Sequence, residues 1–407
     1  MRILIHGTNY SPEKIGIGKY TGEMAEWLAE HGHEVRVVTA PPYYPEWCVS
    51  QEHSSWCYHR ETKFRVDIWR CPLWVPPKPS GLKRILHLVS FALSSLPIML
   101  WQALWKPDVV LVIEPPLFCA PSAWFVARLS YAKAWLHVQD FEVDAAFDMG
   151  ILRAPLVRKF ALWAERVLMS HFDCVSTISG RMQQRLLDKG VLIEHVQLFP
   201  NWVDTEEIFY LSKSVFRDEL NIPEGTVVAL YSGNMGEKQG LEIVVEAARI
   251  FASEASKILF VLCGDGAAKT RMQALASDLS NVLWLPLQPL ARLNELLNLG
   301  DIHLLPQRAD AADLVMPSKL TGMMASGRAI LATAHEGTEL ASVVSSCGIV
   351  VAPGNVQVFV KALRQLESDR EFRESLGKSA RRFAVENLSK ESVLLCFEHK
   401  LKQLLWK

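Results

Sequence analysis

The sequence predicts an α/β protein made of two Rossmann-like, doubly wound parallel-sheet domains, and three observations carry that prediction. The 407 residues exceed one ordinary domain and suit two of about 200 each. Apolar runs of strand length alternate with helical periods, the mark of parallel sheets covered on both faces. A strand, glycine-bearing loop and helix occur twice in succession, once from Arg2 and again from Val227.

In chain order, Arg2–Gly7 reads as a strand, followed by a loop holding Gly16 and Gly18 and an amphipathic helix from about Tyr20 to His31. Gly32 ends that helix and Glu34–Thr39 is the next strand. Pro41–Trp47 (PPYYPEW) then offers either flat aromatic faces lining a binding groove or a rigid packed loop. Val109–Ile113, Ala134–Val138 and Cys174–Ile178 are further strands of the first half. Pro200–Asp204 (PNWVD) is the seam after which the strand order restarts. Val227–Tyr231, Ile258–Cys263, Val282–Leu285, Ile302–Leu305, Ala329–Thr333 and Ile349–Val351 are strands of the second half. The domains expected are 1–203 and 204–388, with a terminal helix, 389–407, packing back on the first.

Leu82–Trp105 has no Asp, Glu, Lys or Arg between Arg84 and Lys106 and approaches the length of a bilayer span. It reads as a crossover helix ahead of strand Val109–Ile113, or as an interfacial helix with Lys83, Arg84 and the tryptophans at headgroup level. A true span would cut the first domain in two. The net charge of -1 gives no electrostatic case for a nucleic-acid partner. Eight scattered cysteines, with no CxxC pair, read as reduced thiols. MRILIHGTNYSPE lacks the features of a signal peptide, so a cytoplasmic location is expected.

The second glycine loop is the most informative segment. Ser232, Gly233, Asn234, Gly236, Lys238, Gln239 and Gly240 join a strand to a helix, where main-chain N–H groups approach an anion and Lys238 adds a point charge. Taken alone, such a turn is often only a tight turn. Gly264-Asp265-Gly266 closes the following strand at the same carboxyl edge, where doubly wound sheets bind ligands. Further on, Pro317-Ser318 looks like a helix start with Ser318 as its cap or Pro317 in its first turn, and Lys319 at the mouth of that edge. In the first half, HVQDFEVD places His137, Asp140, Glu142 and Asp144 past a strand end. A hydroxyl acceptor must lose a proton, so His137, Asp140 and Asp144 are the catalytic candidates, against a packed core histidine and solvated carboxylates.

Together these segments resemble the family-4 glycosyltransferases of GT-B fold, two Rossmann-like domains facing across a cleft, over nearly the whole chain. The carriers are GTNYSPE, IGIGKYTGEMAEWLAEHGHEV, TAPPYYP, HVQDFEVDA, PNWVD, YSGNMGEKQGLE, GDG and MPSKLT. Within the family the sequence is most similar to enzymes of colanic-acid-type exopolysaccharide assembly. Two departures stand out. Of the glutamate pair that many members use to hold donor sugar and ribose, the second falls on Gly322 and the first near Leu314, neither acidic, which moves the donor-sugar contacts to Arg308, Asp310, Asp313, Ser318 and Lys319. The usual arginine after the first glycine is Asn234, and the diphosphate lysine falls on Lys238 or Gln239.

The resemblance implies a GDP- or UDP-sugar donor (GDP-fucose among them), its diphosphate against Gly233–Gly240 and, across the cleft, the Gly16/Gly18 loop. It implies no metal and no cofactor, since helix dipoles and side chains stabilise the leaving group. It also implies retention of configuration, by a path in which the leaving phosphate can act as base and Asp140 only positions. The implied acceptor is a lipid-linked exopolysaccharide or O-antigen oligosaccharide, met at the cytoplasmic face of the inner membrane by a peripheral protein. A 2-epimerase acting on UDP-N-acetylglucosamine and a non-catalytic nucleotide-sugar-binding protein are the alternative readings.

Overall fold

The structure, a computed structural model, describes residues 1–13, 16–77, 81–148, 155–254, 256–309 and 316–406. The chain divides into two units, one formed by 1–200 with 394–407 and the other by 201–393.

The first unit is built on an eight-stranded sheet: β1 (Arg2–His6), β2 (Glu34–Thr39), β3 (His59–Lys63), β4 (Val66–Arg70), β5 (Val109–Glu114), β6 (Lys133–Val138), β7 (Cys174–Thr177) and β8 (Val196–Leu198). Their order is β3-β4-β2-β1-β5-β6-β7-β8. Every pairing is parallel except β3 with β4. This antiparallel edge hairpin is an addition to the expected parallel sheet. It escaped notice because the β3 residues, HRETK, are polar throughout and exposed on both sides of an edge. The helices are α1 (Gly16–Glu30), α2 (Gly81–Gln102), α3 (Ala120–Ser130), α4 (Glu142–Asp148), α5 (Pro155–Met169) and α6 (Gly180–Asp188).

Gly16 and Gly18 therefore lie in the first turn of α1 instead of a loop before it. The cause is local. Gly16 enters the helix at φ +61°, and a Cβ on Gly18 would lie 2.5 Å from the Glu13 carboxylate. The segment Leu82–Trp105 is a crossover helix between β4 and β5. His87, Leu88, Phe91, Ser95, Met99 and Gln102 form its buried stripe, and Ser95 Oγ lies 3.0 Å from His6 Nε2 on β1. By length and composition Gly81–Trp105 is also long and apolar enough to cross a membrane.

The second unit carries β9 (Val227–Ser232), β10 (Ile258–Cys263), β11 (Val282–Leu285), β12 (Ile302–Leu305), β13 (Ala329–Thr333) and β14 (Ile349–Val351), all parallel, in the order β11-β10-β9-β12-β13-β14. Its helices are α7 (Val215–Glu219), α8 (Glu242–Ser253), α9 (Lys269–Leu275), α10 (Leu293–Leu299), α11 (Ser318–Ala325), α12 (Glu339–Ser345), α13 (Val356–Ser368) and α14 (Arg370–Asn387). Tyr231, Phe251, Phe260 and Phe359 fill one core, and Met323, Met324 and Ala380 another. The last helix, α15 (Lys390–Trp406), completes the first unit. Its Phe397 stacks on Phe199 at 4.2 Å between ring centroids, and Glu398 lies 2.8 Å from His33.

Candidate functional site

In the second sheet the strand order reverses between β9 and β12, so the crevice past their carboxyl ends is where a doubly wound fold binds its ligand. The chain places its glycines there. Gly233 leaves β9 at φ +129°, and Gly264 leaves β10 at φ +151°, where a Cβ would lie 1.9 Å from the Gly233 carbonyl oxygen. Gly266 likewise leaves no room, because its Cβ would meet the Asn234 side chain and the Met235 carbonyl at 2.6 Å. Only glycine lets the two loops close on each other. Met235 N–H donates to the Asp265 carbonyl at 2.8 Å and Ala268 N–H to Met235 at 2.9 Å, locking GNM against GDG. Arg308 N–H, just past β12, donates to the Lys238 carbonyl at 3.0 Å and ties the third loop to the same edge.

Lys319 is the charge at this edge. It lies in the first turn of α11, and its ammonium sits 4.2 Å above the Tyr231 ring. Nζ is shut off from solvent and has no hydrogen-bond partner among the described residues, although the residue as a whole is partly exposed. Burial lowers its pKa from 10.5 to about 7. The aliphatic stem runs beside Gly233, whose Cβ would be 3.5 Å from the lysine Cδ. A buried ammonium that no described residue pairs, beside a glycine loop, is a candidate for meeting an anion.

The remaining candidates of this half are more varied. Ser318 is the first residue of α11 and does not cap it. The capping position is Pro317, with no side-chain hydrogen bond, because proline's fixed φ suits a helix entrance better than its ring can accept a bond. Lys238 is exposed on a short 3₁₀ turn, Glu237–Gln239, and Gln239 folds its amide over Gly236 with Oε1 buried and without a partner among the described residues. Ser232 is buried at the end of β9, and Asp265 is exposed. Asp310 and Asp313 lie outside the described residues.

In the first unit, His137 is a buried neutral histidine. Its Nδ1 lies 2.9 Å from Ser176 Oγ, and Nε2 accepts from the Gln139 amide at 3.0 Å. Burial lowers its pKa to about 3. Asp144 is held 3.1 Å from both Arg185 and Lys189, with Lys189 also bound to the buried Glu165. Asp140 is exposed past the end of β6. The structure thus separates three residues that the sequence groups: a packed imidazole, a half-buried ion-paired carboxylate and an exposed carboxylate.

Other carboxyls emerge that the sequence reading does not single out. Glu114 closes β5 fully buried. Burial, then the Glu165 and Glu142 carboxylates, hold its pKa well above the usual carboxylate range. Glu13 accepts the N–H groups of Tyr43 and Tyr44, at 3.2 and 3.1 Å, and the Asn9 amide at 2.9 Å, which fixes the PPYY loop. The only signal for Glu114 was a carboxylate ending an otherwise apolar strand, VVLVIE. Among the described residues no group of three or more His, Cys, Asp and Glu side chains is arranged to hold a metal ion.

Two family models match the chain: a glycosyl transferase 4-like domain over residues 16–202, and glycosyl transferases group 1 over 212–383. The colanic acid biosynthesis glycosyl transferase WcaI of Escherichia coli K12 is 43% identical over 98% of both chains. Among solved structures, sucrose-phosphate synthase of Thermosynechococcus elongatus is similar at TM-score 0.75 with 16% identity, covering 99% of each chain. Anabaena HepE in complex with UDP-glucose is similar at TM-score 0.67 with 13% identity, covering 99% of this chain and 100% of its own. These likenesses give the GT-B glycosyltransferase fold.

Proposed function

Because the chain belongs to the glycosyltransferases with a 4-like and a group 1 domain, we propose that it moves a sugar from a nucleoside-diphosphate donor on its second unit to a lipid-linked oligosaccharide of colanic-acid-type exopolysaccharide. Lys319 carries the reading. As the donor's sugar–phosphate bond breaks, negative charge grows on the departing diphosphate. A buried ammonium with no hydrogen-bond partner among the described residues, beside glycine-loop N–H groups, is preorganised to meet it. No metal is needed in this scheme, and configuration is retained. The UDP-glucose complexes of HepE and the colanic acid role in the WcaI name support the donor class and the pathway.

Asp140, exposed past β6, is the group that orients the acceptor hydroxyl. His137, held by Ser176 and Gln139, and Asp144, paired with Arg185 and Lys189, are the further catalytic candidates of that unit. Membrane docking uses the outer faces of two helices. On α2, Leu82, Leu86, Leu93 and Leu100 are exposed. On α5, Leu156, Phe160, Trp163 and Val167 form an exposed stripe at helical spacing, with Arg158, Lys159 and Arg166 beside it. The protein works at the cytoplasmic face of the inner membrane.

A thermal-shift panel with GDP, UDP, ADP and TDP tests the donor reading. One base should raise the melting temperature of the wild type, and Lys319→Met should remove that response. If no nucleotide shifts the wild type, or the variant responds fully, the assignment of Lys319 fails.

A further inference from the structure

The amino edge of the second sheet holds a groove of about 1260 Å³ at the opposite end of the strands from the glycine loops. Val227 lines it while Ser232 ends the same strand at the donor edge, so roughly 17 Å of β9 separates the two places.

Its charges do not cancel. Lys213 pairs with Asp218, Arg217 with Asp301 and Arg370 with Glu374, at 2.6, 2.5 and 2.7 Å. Four further cations line the groove: Arg328, Arg373, Lys378 and Arg381. The three arginines spend their hydrogen bonds on main-chain carbonyls. Arg328 donates to Leu211, Arg373 to Leu366 and Glu367, and Arg381 to Thr205, Ile208 and Ala325. Such bonds fix the guanidinium planes without neutralising them. Arg328 is the most constrained, lying 4.5 Å over the Tyr210 ring with its Nε buried and without a hydrogen-bond partner among the described residues. The two remaining acidic lining residues are Glu224 and Glu367, and Glu367 already accepts from Ser256.

We propose that this groove is a second anion site, which takes a soluble phosphate-bearing small molecule of two or more negative charges, distinct from the donor. Guanidinium planes held by carbonyls suit the bidentate geometry of phosphate oxygens. The volume admits more than a bare phosphate, and the hydroxyls of Tyr210, Ser212 and Thr226 lie along it for the remainder of the ligand.

The test uses inorganic pyrophosphate, followed by calorimetry at constant ionic strength. The proteins are wild type, Lys319→Met, and Lys319→Met with Arg370→Glu and Lys378→Glu, both exposed positions. Lys319→Met should keep a pyrophosphate site, and the two charge reversals should weaken it at least about tenfold with the thermal midpoint unchanged. Loss of all binding in Lys319→Met alone, or equal binding in the triple variant, overturns the proposal. Nucleotide binding unaffected by Lys319→Met sinks the donor reading and leaves this one standing. Phosphatidylglycerol vesicles form the last arm. Retention on them that needs Arg370 and Lys378, with no response to pyrophosphate, would identify a lipid headgroup and also overturn it.

Discussion

Under the proposed function Lys319 is where fold meets chemistry, since among the described residues nothing pairs with its buried ammonium. Its folded pKa, about 7, lies below the ordinary 10.5. Between those values the unfolded chain binds a proton that the folded one does not, so unfolding free energy rises with pH across that window. An incoming diphosphate reverses the balance by favouring the ammonium. At pH 8, binding of the preferred nucleoside diphosphate should therefore take up close to one proton, and affinity should fall as pH rises through 7. Calorimetry in two buffers of different ionisation enthalpy measures that uptake, which should vanish in Lys319→Met. Equal uptake in the variant would assign the proton elsewhere. The sequence could place Lys319 at the strand edge, because PSK follows the β12 loop. It could not show the Tyr231 ring beneath the ammonium, since that pairing joins residues 88 apart. His137 illustrates the converse. Its place at the end of an apolar run reads either as a catalytic group or as a packed core histidine, and the contacts with Ser176 of β7 and Gln139 of the loop after β6 are those of packing.

At the scale of elements, apolar periodicity marked the buried strands well, since a strand covered on both faces announces itself by composition alone. It failed where that cover is missing. The β3–β4 hairpin and the three-residue β8 lie at the edges of the first sheet, where polar residues are tolerated and length is short. Helices with two apolar faces raise the opposite difficulty, because both faces read alike in the sequence. On α2, Phe91 and Met99 are buried while Leu93 and Leu100 are exposed. On α5 the exposed stripe contains Phe160 at 66% and Trp163 at 59% exposure, too large to be incidental on a helix flanked by cations. The double variant Phe160→Asp and Trp163→Asp should weaken co-sedimentation with phosphatidylglycerol vesicles at least about tenfold, since burying each ring in the interface contributes about 1.5–3 kcal/mol. Folding should be untouched, as circular dichroism melting would register. Undiminished sedimentation would move the membrane contact off α5.

At the scale of the molecule, the two units repeat one plan, with strand order reversing between β1 and β5 in the first and between β9 and β12 in the second. The repeat was legible because each unit restarts with a strand and a glycine-bearing turn. The crossing back of the chain was less so, as it depends on Phe199, Trp135 and Phe397 meeting around α15. Each unit has its own buried core, and the glycine loops and Lys319 all belong to the second. A ligand that binds only one folded unit stabilises that unit by RT ln(1 + [L]/Kd), about 2.7 kcal/mol at a hundredfold excess over Kd. If the units open separately, hydrogen exchange should respond unevenly. With the preferred nucleoside diphosphate at that excess, the slowest amides of β9, β10 and β12 should slow about a hundredfold, while those of β1, β5 and β6 keep their rates. Slowing of both sheets by the same factor would mean the whole chain opens as one cooperative body, with donor binding stabilising the acceptor half as strongly as its own.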